Sequence, residues 1–234
     1  MKIHQIRNAT CIIESSSYHI LVDPMLGEKG SIPPFSFIEH KARKNPLVDL
    51  PEIAGSALEK VTHCLVTHSQ KWGIEALTHT DHFDPAGRQF LKDNNIPVCT
   101  GAKDASYMRK HGLEVVGELI PWQTQPFLNG SITAVPALHG HTWTSRLMAN
   151  GIGFFIELEQ EPSVYISGDT VYTNDVKKAL TQLKPDIAVV AAGSAGLDVG
   201  GPILMTPEEL TTFIETAPEN VVANHMDALN HCPT

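Results

Sequence analysis

The sequence predicts a layered protein of the α+β or α/β class, with β-sheets covered by helices on their outer faces. The main observation is that β-rich runs open each half of the chain and helical segments follow them. The 234 residues are enough for a substantial core, and 42% of them are hydrophobic, an ordinary value for a globular protein. No boundary divides the chain, so we expect a single domain over residues 1–234.

The first half begins with three β-rich runs, at residues 2–6, 10–14 and 18–22. Pro24 ends the last of them, since proline cannot continue a central strand. Residues 25–60 carry many glycines and prolines, which predicts a long irregular segment. The other expected elements of this half are strands at 61–67, 96–99, 114–121, 125–128 and 131–137 and helices at 85–94 and 102–111.

The second half has clearer helix signals. Thr206, Pro207 and Glu209 are the residue types of an N-cap, a first helical position and a capping box, so a helix is expected over 206–216. Residues 173–183 have the pattern of an amphipathic helix. The expected strands of this half are 152–158, 163–167, 186–191 and 221–223.

Composition and charge disfavour several classes of function. The formal net charge is −9, with 26 acidic against 17 basic residues, so no nucleic-acid partner is expected. No apolar run approaches the roughly 18–20 residues of a membrane-spanning helix, so no membrane insertion is expected. The N-terminus lacks the apolar core of a signal peptide, which makes the cytoplasm the expected location. The four scattered cysteines are expected to be free thiols.

The positions of the histidines point to a metal site. His79, Asp81 and His82 lie within four residues, after a predicted strand. Imidazole and carboxylate ligands together suit zinc, manganese or iron. Taken alone, this block is equally compatible with a polar surface turn, because short motifs have a high false-positive rate.

Three polar side chains far along the chain favour the metal site. His139, Asp169 and His225 each come just after a predicted strand. Loops held at strand ends by a rigid scaffold commonly carry catalytic groups. Each residue alone is more often structural than functional, but their shared placement indicates a common site.

Together these residues make the chain resemble the metallo-β-lactamase fold superfamily of metal-dependent hydrolases. It looks closest to the branch that contains the ascorbate-phosphate lactonase and N-acyl-phosphatidylethanolamine phospholipase D. The resemblance implies an α+β fold, a four-layer αββα sandwich, with a binuclear site at one edge of the sheets. The resemblance covers nearly the whole chain and includes segments 8–24, 78–84, 136–140, 167–170, 205–216 and 224–226.

The chain departs from the family motif HxHxDH at the first histidine. Counting back from Asp81 and His82 gives a leucine at that position. Removing residues 69–77 would join His68 to Thr78 and restore H-T-H-T-D-H. We therefore predict a nine-residue insertion at 69–77 that keeps His68 as a ligand, because loop length is tolerated when the ends stay fixed. The alternative is that this ligand is lost and one metal site is weakened.

The resemblance implies a binuclear centre. It assigns His68, His79 and His139 to the first ion, Asp81, His82 and His225 to the second, and Asp169 as a bridge between them. His141 is the alternative to His139, because Gly140, His141 and Thr142 form a G-H-T sequence that resembles the one in other branches of the superfamily. Zinc is the expected metal, and manganese and iron suit the same ligand types.

The implied activity is hydrolysis of a small ester, lactone or phosphodiester by a metal-bound hydroxide. Asp81 is the candidate catalytic residue, since it could orient the hydroxide or accept its proton. Asp23 and Asp84 are candidate acceptors for the outer nitrogens of the ligating histidines, with Asp84 equally well explained as a helix cap. The candidate substrate-binding residues are Arg146, Trp72 and His231.

Two other functions stay open. One is a metal-binding protein with a weakened mononuclear site and a sensing or non-hydrolytic role. The other, less favoured by the −9 charge, is a nuclease. The expected partner is a small-molecule substrate, and a homo-oligomer is compatible with the sequence. We expect one more helix after His225 than the chain contains, so its C-terminus is either shortened or ends in a loop.

Overall fold

The computed structural model describes residues 1–70, 79–141, 143–148 and 151–232. Within these residues, two six-stranded β-sheets pack face to face. Helices cover the outer face of each sheet. The predicted α+β fold, a four-layer αββα sandwich, is thereby confirmed. No helix in the described part of the chain is both long and apolar enough to cross a bilayer.

The first sheet has its strands in sequence order. They are β1 (Lys2–Arg7), β2 (Thr10–Glu14), β3 (His19–Val22), β4 (His63–Val66), β5 (Val98–Gly101) and β6 (Val115–Leu119). The first three are antiparallel, and β3 to β6 are parallel. Parallel neighbours need crossover connections, which contain α1 (Ala54–Leu58), α2 (Pro85–Asp93) and α3 (Ala102–Lys110).

The second sheet begins with β7 (Thr124–Phe127), β8 (Gly130–Pro136), β9 (Ile152–Leu158), β10 (Val164–Ile166) and β11 (Ile187–Ala191). A small ribbon of β12 (Gly196–Leu197) and β13 (Gly201–Pro202) precedes β14 (Asn220–Asn224), and the sheet order is β14-β11-β10-β9-β8-β7. The helical elements of this half are α4 (Thr144–Leu147), α5 (Asn174–Lys178), a π-helical segment (Ala179–Leu183) and α6 (Pro207–Thr216).

Side-chain alternation along each strand fills two kinds of core. In β2, Cys11 and Ile13 point into the layer between the sheets, whereas Ile12 packs beneath the helices. All three are fully buried. A strand covered on both faces needs apolar residues at successive positions, which explains the continuous apolar runs in the sequence.

Most predicted elements are confirmed. The differences are in residues 25–60 and 173–183 and in the short elements α4, β12 and β13, which were not predicted. The capping box of α6 is present, because Thr206 and Glu209 each accept a hydrogen bond from the other's backbone N–H. Residues 173–183, predicted as one helix, form α5 and then the π-helical segment, which ends at Lys184 in a left-handed conformation. Residues 25–60 are largely irregular as predicted, but they also contain α1.

The strands of the second sheet bring several loops to one edge. β8 and β10 both run antiparallel to β9, and β10 is parallel to β11, which is parallel to β14. The carboxyl ends of β8, β10 and β14 therefore meet at the same edge. The loops that carry His139, Asp169 and His225 leave the sheet there.

Candidate metal centre

Seven buried or half-buried side chains meet at this edge in two groups. The first group is His68, His79 and His139, and the second is Asp81, His82, Asp169 and His225. Within each group, one ligand atom from every residue lies within 4.8 Å of the others. These are the residues that the resemblance assigned to the metals. Among the described residues, no further group of three or more such side chains has this spacing.

The carboxylate of Asp169 lies between the two groups. Its Oδ2 atom is 3.1 Å from His82 Nε2, 3.3 Å from His225 Nε2 and 3.6 Å from His139 Nε2. The turn before Asp169 favours glycine at position 168, because φ there is +61° and a Cβ would lie only 3.0 Å from the Ile152 carbonyl oxygen. The tight glycine turn after β10 thus delivers the carboxylate to the point where both groups meet.

Backbone and ring contacts hold together the two ends of the predicted insertion at residues 69–77. The backbone N–H of His79 donates to the carbonyl of Ser69 at 2.9 Å, and the ring of His79 lies 4.6 Å from that of His68. The Asp104 carboxylate holds the start of the loop by accepting from the N–H and hydroxyl of Ser69. With both ends held, His68 enters the first group. Residues 71–78, and with them Trp72, lie outside the described residues.

Several buried polar atoms in the two groups have no hydrogen-bond partner. They are Nε2 of His68, His82 and His225 and Oδ1 of Asp169. The Nε2 atoms of His82 and His225 approach Asp169 Oδ2, but not with hydrogen-bond geometry. An unpaired buried polar atom costs about 1–3 kcal/mol, so native structures keep few of them. Lone pairs of this donor type directed at common points fit divalent cations.

The outer ring nitrogens of four histidines have hydrogen-bonding partners of their own. The contacts are His68 Nδ1 to Thr67 Oγ1 at 3.0 Å, His82 Nδ1 to Asp23 Oδ2 at 2.9 Å, His139 Nδ1 to the Ile203 carbonyl at 2.9 Å, and His225 Nδ1 to Cys232 Sγ at 3.4 Å. A ring that donates through Nδ1 presents the lone pair of Nε2. Partners of this kind fix the tautomer and orientation of ligating histidines.

The structure separates the two candidate outer acceptors, Asp23 and Asp84. Asp23 contacts His82 and also accepts from the N–H and hydroxyl of Thr67, both at 2.7 Å. Asp84 is the N-cap of α2, where its side chain accepts from the N–H of Gly87. Asp23 therefore belongs to the site, and Asp84 supports the neighbouring fold.

Electrostatics favour the metal-binding forms of the first group and of Asp169. Around His82 and His225 the nearby carboxylates have the opposite effect: they outweigh burial and raise the pKa of both rings, that of His82 to about 10, so a cation bound there would replace a proton. Burial and the neighbouring histidines lower the pKa of His68 well below its usual value. Burial also lowers the pKa of His79, to about 4. Burial alone would raise the pKa of Asp169, but the adjacent His225 and His82 outweigh it and hold that pKa well below its usual range. Neutral imidazoles and ionised carboxylates are the forms that bind cations.

The other predicted site residues that the structure describes are His141, Arg146 and His231, and none of them belongs to either group. The Nε2 atom of His141 lies 3.2 Å from the Glu209 carboxylate. Arg146 is exposed on α4. His231 is buried, and its ring centroid is 6.5 Å from that of His225.

Two contributors carried no local sequence signal. Asn8 donates from Nδ2 to the Asp81 carbonyl at 3.0 Å, and its own carbonyl accepts from the His225 N–H at 3.0 Å. Cys232 contacts the His225 ring. These contacts are created when distant or sharply turned segments meet, so the sequence pattern indicated neither of them.

Comparison with known proteins agrees with this geometry. A family profile described as "Beta-lactamase superfamily domain" matches residues 18–226. The UPF0173 protein YddR of Bacillus subtilis (strain 168) is 30% identical over 234 residues, which cover 99% of this chain and 87% of that protein. A UPF0173 metal-dependent hydrolase of Thermoplasma acidophilum is 25% identical over 217 residues, covering 88% of this chain and 82% of that protein.

Among solved structures, an isothiocyanate hydrolase from Delia radicum gut bacteria has a TM-score of 0.83 and 31% sequence identity to this chain. The match covers 99% of this chain and 87% of that one. Fold, family profile and relatives agree over nearly the whole length. The chain belongs to the β-lactamase superfamily and, within it, to the UPF0173 metal-dependent hydrolases of the metallo-β-lactamase fold.

Proposed function

We propose that the protein is a binuclear metal-dependent hydrolase that acts on a small ester, lactone or phosphodiester, as in the lactonase-like branch. The observation that carries the proposal is the pair of adjacent ligand groups joined by Asp169 Oδ2. The first ion would be held by His68, His79 and His139, the second by Asp81, His82 and His225, with Asp169 between them. Zinc is the expected ion, and manganese or iron would suit the same donors.

Two divalent ions, when bound, lower the pKa of a coordinated water and polarise the oxygen of the bond under attack. The protein supplies the open face of the site through His79 and Asp81, whose side chains are 14% and 9% exposed. Those of His82 and Asp169 are at most 2% exposed. Substrate therefore approaches on the side of His79 and Asp81. The Asp81 carboxylate is placed there to orient the attacking water or accept its proton.

A cavity of about 280 Å³ beside the first group supports a small substrate with an apolar portion. Thr67 and Gly151 are among its lining residues, and both are neighbours of His68: Thr67 Oγ1 lies 3.0 Å from His68 Nδ1, and a Cβ on Gly151 would lie 2.8 Å from His68 Cβ. The rest of its lining is mainly apolar, with two charged residues, and comes from Gly101, Ala102, Lys103, Asp104, Leu119, Ile120, Pro121, Pro136, Ala137 and Ile152.

Hydrolysis of isothiocyanates is a second candidate function. The 31% identical structural relative is an isothiocyanate hydrolase, and the alignment covers 99% of this chain. The central carbon of an isothiocyanate is an electrophile that the same activated water could attack. A small apolar isothiocyanate also matches the lining of the cavity beside His68.

Metal analysis combined with a substrate panel tests the proposal. The panel consists of p-nitrophenyl acetate, γ-butyrolactone, bis(p-nitrophenyl) phosphate and benzyl isothiocyanate. We expect two ions per chain after gentle purification, and loss of both metal and activity in His79→Ala. If benzyl isothiocyanate is the only substrate of the panel that is hydrolysed, the second candidate function is favoured. If the protein binds one ion per chain and hydrolyses no substrate of the panel, a mononuclear sensing role is favoured. The proposal is ruled out if the wild type binds no transition metal and His79→Ala changes neither metal content nor activity.

Replacing Asp23 by asparagine is expected to weaken the second metal. The change keeps the shape and tolerates the left-handed backbone at this position, where φ is 45°. It removes the negative charge of the carboxylate, which contacts His82 Nδ1 and accepts from the Thr67 hydroxyl. Loss of such an outer partner lowers metal affinity about 10- to 100-fold, which competition with a chelator measures.

The matched control is Asp84→Asn, a buried carboxylate that caps α2 instead. It should lower the free energy of unfolding and leave metal affinity unchanged. Equal loss of affinity in both variants would show that Asp23 acts only through the fold.

A further inference from the structure

The C-terminal turn places the thiol of Cys232 against the ring of His225. Sγ lies 3.4 Å from Nδ1, and both residues are fully buried, with relative exposures of 0% and 1%. On its other side, the ring presents Nε2 to Asp169 Oδ2 at 3.3 Å. Nδ1 of this ring therefore faces the sulfur atom, and Nε2 faces the second ligand group.

The turn that carries the thiol is held by specific hydrogen bonds. The N–H of Asp227 donates to the Cys232 carbonyl, and the N–H of Cys232 donates to the Leu229 carbonyl, both at 3.2 Å. The N–H of Asn230 donates to Asn45 Oδ1 at 2.8 Å, which fastens the turn to the long irregular segment. The position of Sγ is therefore determined by the tertiary structure.

The orientation of the His225 ring needs such a partner. The backbone of His225 is held by its N–H bond to the Asn8 carbonyl, with φ at 57°. This fixes where the side chain starts, but rotation about the bond to an imidazole ring has broad, two-fold preferences. A flipped ring would put Cε1 in the place of Nε2, facing Asp169, and Cδ2 in the place of Nδ1. The contact with Cys232 distinguishes the two orientations.

We propose that Cys232 is the positioning residue of His225, with Sγ accepting the hydrogen of Nδ1–H so that the Nε2 lone pair faces the second ion. The inference rests on the proposed function, since that function assigns His225 to a metal. Asp23 and the Ile203 carbonyl make the equivalent contact to His82 and His139. At the third of these histidines the acceptor is a sulfur atom.

Two substitutions separate this role from simple packing. Cys232→Ser keeps an acceptor and is smaller, whereas Cys232→Val fills the space and cannot accept. If Cys232 positions the ring, serine retains zinc affinity at the second site and valine lowers it about 10- to 100-fold. If the residue only fills space, valine retains the affinity and serine loses it, which would overturn the inference.

The experiment measures zinc affinity by competition with a chelator, and circular dichroism monitors the fold. Cys99→Ser is the control, because Cys99 is a buried thiol of β5 outside both ligand groups. A wild type that binds no zinc refutes the proposed function itself, whereas a wild type with two zinc ions and an unaffected valine variant refutes only the role of Cys232.

If the valine variant does not fold, ring ¹⁵N spectra of the zinc-loaded wild type decide, with His225 assigned from a His225→Gln variant. A protonated Nδ1 and a zinc-bound Nε2 are expected. Zinc on Nδ1, or an unprotonated Nδ1, would overturn the inference.

Discussion

Replacing Asp169 by asparagine is expected to reduce the bound metal from two ions per chain to at most one and to suppress hydrolysis. The reason is that Asp169 Oδ2 approaches nitrogens of both groups, so that removal of its charge weakens both sites at once. Loss of one preorganised electrostatic partner commonly costs on the order of 100- to 1,000-fold in kcat, and we expect at least that. Elemental analysis and steady-state kinetics on the same preparation measure both effects.

Asparagine is chosen because it keeps the size of the buried aspartate. Asp169→Ala should give the same result, which would exclude an effect of the new amide. Asp175→Ala is the control carboxylate, since its partner is Trp122 Nε1 and it lies outside the ligand groups. An Asp169→Asn enzyme that retains two ions and the wild-type rate would contradict the bridging role.

Replacing His68 by glutamine is expected to remove the first ion and leave the second. The ring of His68 lies among those of His79 and His139, and its buried Nε2 has no hydrogen-bond partner. Loss of one of the three ligands of the first group should lower kcat on the order of 100-fold, because that ion no longer polarises the substrate. Metal content per chain and kcat provide the readout.

His141→Gln is the matched control, because His141 is a nearby histidine that contacts Glu209 instead of the ligand groups. Two ions and an unchanged rate are expected for it. If His68→Gln retains two ions, the insertion has displaced this residue from the metal. If His141→Gln loses one, the ligand after β8 has been misassigned.

Much of the fold was predictable because its signals are local. The capping box of α6 and the N-cap and proline of α2 depend on neighbouring residues, and both helices begin where the sequence indicates. The helix α1 inside residues 25–60 was not predicted. It is five residues long, carries no side-chain cap, and its buried residues Ala54 and Ala57 pack against the first sheet. Contacts of this kind depend on tertiary structure.

The residue types that form the two groups, and their order along the chain, were also accessible from the sequence. His139, Asp169 and His225 each follow a β-run, and strand ends are positions that chain patterns reveal. The interruption at residues 69–77 obscured the motif. The structure holds the ends of this segment together through Ser69 and His79, which brings His68 back to its neighbours.

By itself, the sequence determined the kind of chemistry this protein can support, because imidazoles and carboxylates after strands are properties of residue identity and local pattern. Only the tertiary structure decided which nitrogen of each ring faces the site, that Asp23 and not Asp84 supports His82, and that His139 and not His141 joins the first group. These outcomes depend on side-chain rotamers and on contacts between segments far apart in the chain. The contact between His82 and Asp23, for example, joins residues 59 positions apart, a relation that no local sequence pattern records.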